Sequence, residues 1–142
     1  MKKYVIVMVV LLLIIVGSIF YAYRLYQENV NNVSSYNFNY EQYIDKEISG
    51  TEIATILNKA VNNNEQNNIE KNENNVYIEN NINSIKIDIY IKDNDTTYSM
   101  EKIYNLGVEQ FINSFSFETF KIDKVEYHNE TGVIKYILIK QQ

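Results

Sequence analysis

The hydrophobic and polar positions fall into three regimes. Residues 4–23 (YVIVMVVLLLIIVGSIFYAY) carry no charge and follow Lys2 and Lys3. Twenty helical residues at ~1.5 Å each reach ~30 Å, the thickness of a bilayer's hydrocarbon core. A helix is required there because each backbone N–H and C=O must be satisfied without water. Tyr4 then lies at one interface and Tyr21, Tyr23 and Tyr26 near the other. A cleaved signal peptide would have an apolar core of about 7–15 residues ending in a small-x-small site. The only tolerable site, Val16-Gly17-Ser18, falls inside the run, so the segment reads as an uncleaved anchor. Positive charge at Lys2, Lys3 and the N-terminal amine outweighs Arg24. This predicts a single-pass protein of the cell membrane with a cytoplasmic N-terminus and residues 24–142 outside.

The second regime, residues 27–48, is mixed. Residues 27–35 (QENVNNVSS) are polar and read as a juxtamembrane linker or a frayed continuation of the helix. Tyr36, Phe38 and Tyr40 alternate as in a strand, whereas Tyr43, Ile44 and Ile48 suit a helical stripe, so both readings stay open.

The third regime, residues 49–142, is periodic. Ser49 and Glu52 have capping-box spacing. Ile53, Ile56, Leu57, Ala60 and Val61 then form one helical face, predicting a helix to about Asn64. Residues 62–75 (NNNEQNNIEKNENN) read as a helix end fading into a solvated loop, and 76–78 as a strand before a turn at 79–81. In 84–93 (SIKIDIYIKD) four alternate Ile define a strand with one buried face. Residues 93–97 (DNDTT) form a turn into a second helix. Its stripe is Met100, Ile103, Gly107, Phe111 and Phe115, with Gly107 inside the helix at a cost of about 1 kcal/mol. Strands at about 118–127 and 133–140 flank a Gly-containing hairpin turn, 128–132. The expected fold is α+β: an N-terminal transmembrane helix (residues 1–26 with the cytoplasmic end), then an α-β-β-α-β-β domain with a mainly antiparallel sheet of about four strands.

The chain's 142 residues allow one modest domain beyond the anchor. The absence of Cys excludes disulfides, thiolate metal sites, a cysteine nucleophile and a lipidated-Cys anchor. A formal charge of −5 with one Arg argues against nucleic acid as a partner. From residue 31 onward 17 acidic residues face 10 Lys, so the negative charge lies in the exterior part. The abundance of Asn, Ile, Lys, Tyr and Glu matches A/T-rich codons and carries little functional weight.

Asp93, Asp95, Thr97 and Glu101 begin an EF-hand-like alternation of oxygen ligands. Tyr98 stands where such a loop needs Gly and Tyr104 where it needs a bidentate Glu, so the reading is a turn in which Asp95 or Thr97 caps the helix. His128, the only histidine, sits between Glu126 and Glu130 in the hairpin turn and reads as a surface residue. The four Gly, at 17, 50, 107 and 132, make no phosphate loop. No catalytic, cofactor-binding or metal-ligating residue and no cofactor is assigned.

Residues 48–64 (ISGTEIATILNKAVNNN), 84–93 and 127–139 (YHNETGVIKYILI) resemble an uncharacterised family of small single-pass membrane proteins of low-GC Gram-positive bacteria. The resemblance implies an anchored extracytoplasmic domain and carries over no site residues. The α-β-β order and the turn Thr131-Gly132-Val133 are also similar to PepSY-type domains, which are anchored extracytoplasmic modules. The expected partners are the lipid bilayer, through residues 4–23, and an envelope protein, with the domain a non-catalytic interaction or accessory module. An extracytoplasmic ligand or ion sensor built on the 93–101 turn is one alternative. The other is an envelope hydrolase, which needs a crevice joining Glu126, His128 or Glu130 to an acid from another element.

Overall fold

A computed structural model describes residues 2–142. The first helix, α1 (Lys2–Glu41), runs through both the apolar stretch and the polar residues that follow it. Residues up to Ser35 form one unit, and Tyr36–Gln142 form a second, compact one.

Within the compact unit the chain continues as β1 (Ile48–Ser49), α2 (Gly50–Gln66), β2 (Lys86–Ile91), β3 (Thr96–Ser99), α3 (Met100–Leu106), α4 (Val108–Phe115), β4 (Thr119–Tyr127) and β5 (Ile134–Gln141). The architecture is mixed α+β, with a five-stranded sheet in the order β1-β4-β5-β2-β3. This corrects the expected count of about four strands. It also corrects the antiparallel character, since β2 and β5 are parallel, in the register Ile87↔Ile137 and Ile89↔Ile139. The reason is a crossover: the chain leaves β2 through the β3 hairpin and α3–α4, lays β4 beyond the future place of β5, and returns through a tight turn. β5 is therefore central, and its Ile134, Ile137 and Ile139 are fully buried.

Ser49 and Glu52 make the predicted capping box. The Glu52 carboxylate accepts from the Ser49 backbone N–H at 2.8 Å, and Ser49 Oγ accepts from the Glu52 N–H at 3.3 Å. From α2, Ile53, Ile56, Leu57 and Ala60 pack into one core with Ile87, Ile89 and Ile91 of β2 and Tyr40 from the end of α1.

Three local expectations change. The strand at 76–78 reduces to a single bridge, Lys71↔Tyr77. Residues 96–99 form an antiparallel strand on β2, closed by a turn with Asp95 at φ 49°, so the cap of α3 is Ser99 rather than Asp95 or Thr97. The single long helix with Gly107 inside is two short ones, because Gly107 adopts φ 98°, ψ 115° between them. Only Gln110 Cβ, at 3.9 Å, would meet a Cβ there, so backbone conformation rather than close packing calls for glycine.

The Asn-rich connection between α2 and β2 is ordered by its own side chains. Asn80 Oδ1 accepts from the backbone N–H groups of Ile82, Asn83 and Ser84 at 2.9–3.0 Å, and Asn72 Oδ1 from those of Asn74 and Val76. Asn68 and Asn75 take the left-handed conformation that Asn tolerates well. The helix end and solvated loop expected at 62–75 are present, α2 ending at Gln66 and residues 70–75 being exposed, with Asx turns at Asn72 and Asn80 shaping the connection.

Candidate functional site

The apolar stretch 4–23 lies within α1, and its large side chains are exposed from Tyr4 to Tyr23. Its best 18-residue window has mean hydropathy 3.0 and nothing of it is buried. Ser18 is the one hydroxyl among its aliphatic residues, and it donates to Ile14 O at 2.8 Å, so it needs no water. The helix is long and apolar enough to cross a membrane.

The compact unit offers two different surfaces. On the helical side, Tyr98, Ile103, Leu106, Gln110, Phe111 and Phe115 line an open cleft of about 250 Å³. The rings of Phe111 and Phe115, both in its lining, are tilted at 45° with centroids 4.9 Å apart. Leu106 is exposed at its edge, and Phe117, two residues past Phe115, is 98% exposed. Isolated exposed apolar residues are ordinary, but one beside a concave, mainly apolar cleft forms a surface suited to another apolar group.

The other face of the sheet is charged. Lys86 pairs with Asp88 at 3.4 Å, Lys140 with Asp123 at 2.9 Å, and Lys124 with Glu126. The Tyr136 hydroxyl donates to Asp88 Oδ2 at 3.1 Å, while Lys86 and Lys124 stand 5.9 Å from its ring centroid on their own strands. Burial, with the Asp88 charge next in weight, pushes the Tyr136 hydroxyl up to about 12. Lys135 lies between Glu126, at 3.4 Å, and Glu79 from the Asn-rich connection, at 3.9 Å.

Glu79 and Lys135 line two shallow hollows, one with Glu126 and the other with His128 and Glu130. Glu79 is thus the acid from another element that stands beside Glu126 in one hollow and beside His128 and Glu130 in the other. Hydrogen bonding from Lys124, with help from Lys135, holds the Glu126 carboxyl below the usual range, the reverse of what a general acid needs. His128 is not the surface residue its position suggested: it is 3% exposed, because its ring is folded under the hairpin with Nε2 2.7 Å from Ser84 O. A carbonyl can only accept, so Nε2 carries the proton and is committed to holding the hairpin against the start of β2. The hairpin is closed further by His128 N to Val133 O at 2.7 Å.

The acidic turn disperses its ligands. Asp95 Oδ1 accepts from the Tyr90 hydroxyl at 2.8 Å, and Asp93 Oδ2 accepts from Gln141 Nε2 at 2.8 Å. Glu101 is turned inward, 6% exposed, where Oε1 accepts from Tyr77 N at 3.4 Å and Oε2 has no partner. Among the described residues no three His, Cys, Asp or Glu converge on a point that could hold a metal.

The cleft was missed in the sequence because its residues lie on three elements, β3, α3 and α4. The available signal was the width of the apolar stripe: Leu106 and Val108 extend it beyond what one helix face can bury. No family model matches the chain, and no curated protein and no solved structure matches it significantly.

Proposed function

We propose that this is a single-pass membrane protein whose C-terminal domain, outside the cytoplasm, is a non-catalytic interaction or accessory module of the cell envelope. The observation that carries the reading is the uncharged, wholly exposed helical stretch 4–23, which water does not accommodate and a bilayer does. The excess of positive charge before it, at Lys2 and Lys3, supports a cytoplasmic N-terminus. The Leu106 cleft supports the interaction role, being apolar, open and about the size of one large side chain.

A photo-activated cross-linking residue in place of Leu106, with a control at the exposed Lys92 on the strand side, tests the interaction role in living cells. The expected result is an adduct with one envelope protein from position 106 and none from position 92. Equal adducts from both positions, or none from 106, contradict it.

A further inference from the structure

The stretch of α1 between the apolar segment and the compact unit should not be helical by itself. Residues 24–35 hold Asn29, Asn31 and Asn32, two Val and two Ser, all poor helix formers. An isolated helix shorter than about 12–15 residues is marginal even for good formers. Yet the helix passes through them unbroken to Glu41. Their apolar side chains explain what could hold it. Tyr23, Tyr26, Val30 and Val33 are spaced 3, 4 and 3 residues apart, the a/d alternation of a coiled-coil seam. The remaining positions are polar apart from Leu25, and their two charges, Arg24 and Glu28, cancel. Tyr23, Tyr26 and Val30 are 60%, 64% and 43% exposed. The next two positions of the repeat, Asn37 and Tyr40, are engaged elsewhere: Asn37 hydrogen-bonds Gly132 and Ile134, and Tyr40 is in the core. The free seam therefore ends at Val33.

We propose that residues 23–33 pair with the same segment of a second copy of this chain, in parallel and in register. The inference rests on the membrane reading above, and three features select a second copy. A 3.5-residue repeat is self-complementary, since each seam residue meets its own counterpart across the axis. Two copies inserted with the same orientation can only present this segment in parallel. Confinement to one membrane raises their effective concentration, so that about one and a half heptads suffice where they would not in solution.

The chain has no Cys, so single cysteines report cleanly. Full-length chain in native membranes, carrying Tyr26→Cys, Val30→Cys or Val33→Cys, is oxidised beside Glu28→Cys and Asn31→Cys on the outer face. The expected result is a disulfide-linked dimer at least fivefold more abundant at 26, 30 and 33 than at 28 and 31. Val30→Asp placed in the Val33→Cys chain should bring its dimer down to the level of the outer positions. Uniform cross-linking, none at any position, or adducts of another mass overturn the proposal. Alkaline extraction of the same membranes separates the two failures. Chain retained in the pellet without the periodicity sinks the pairing alone, whereas chain released to the supernatant sinks the membrane reading and the pairing with it.

Discussion

The side chain of Asn64 closes on both backbone groups of Ile85: Nδ2 donates to Ile85 O at 2.8 Å and Oδ1 accepts from Ile85 N at 2.9 Å. A carboxamide carries the same donor and acceptor as a peptide unit, so a residue of α2 stands in for a neighbouring strand just before β2 begins. Asn37 of α1 does the same at the start of β5, donating to Gly132 O and accepting from Ile134 N, both at 2.9 Å. Both asparagines are buried, and two strands are tied to two helices without apolar contact deciding their height.

Asn64→Leu should therefore destabilise the domain by about 2–4 kcal/mol, since it strands a buried N–H and a buried C=O. Asn64→Asp should cost no less, because a carboxylate keeps only the bond accepted from the Ile85 N–H and sets charge against the Ile85 carbonyl. Urea unfolding of the detergent-solubilised chain checks both. A loss under 1 kcal/mol for Asn64→Leu would show that the pairing is dispensable.

The two positive-φ glycines should differ under substitution by alanine. At Gly132, φ 70° with open space around it, the cost is about 1 kcal/mol. At Gly107, φ 98° and ψ 115°, the backbone lies in a region closed to side chains, and Ala should cost more, about 2–3 kcal/mol. The same unfolding measurement ranks them, and equal losses would contradict the assignment.

The capping box gives a pH-dependent contribution. The Ser49 backbone N–H, then the Ser49 hydroxyl, hold the Glu52 carboxyl below its usual value of 4.5. A depressed folded-state value means that the stabilisation is present above the unfolded value and is lost as pH falls through the folded one. Ser49→Ala should cost about 1 kcal/mol at pH 7. Glu52→Gln should narrow the stability difference between pH 7 and about pH 3 relative to the parent, and an unchanged difference would argue against the box.

Glu101 should behave in the opposite sense to most buried residues. Its Oε2 is buried without a hydrogen-bond partner, so Glu101→Gln replaces that unpaired oxygen while keeping the acceptor for Tyr77 N. The expected change in thermal midpoint at pH 7 is zero or upward, by up to about 1 kcal/mol in stability. A clear fall would mean that the carboxylate is needed.

Elements defined by local period were legible: the long apolar helix, α2 with its capping box, the Ile ladder of β2, and the β4–β5 hairpin. What escaped the pattern depends on distant chain. Two residues of β1 have no period to detect, and β3 hides in a sequence, Thr-Thr-Tyr-Ser, that equally suits a helix entry. The parallel β2–β5 pairing follows from where the α3–α4 crossover deposits β4, which no window contains. Asn64 did leave a trace, since it continues the stripe of Leu57 and Ala60 by one more turn, but its polarity reads there as the stripe's end. His128 left none: its burial is made by Ser84, 44 residues away.

In the proposed topology residues 4–23 cross a membrane and leave the domain outside. Because the native chain lacks Cys, it can be tested with Asn94→Cys and Glu130→Cys, both at exposed turns, and Lys3→Cys at the other end, using a membrane-impermeant maleimide on intact cells. The account predicts labelling at 94 and 130 in intact cells, and at 3 only after permeabilisation. Labelling at 94 and 130 that also waits for permeabilisation would contradict it.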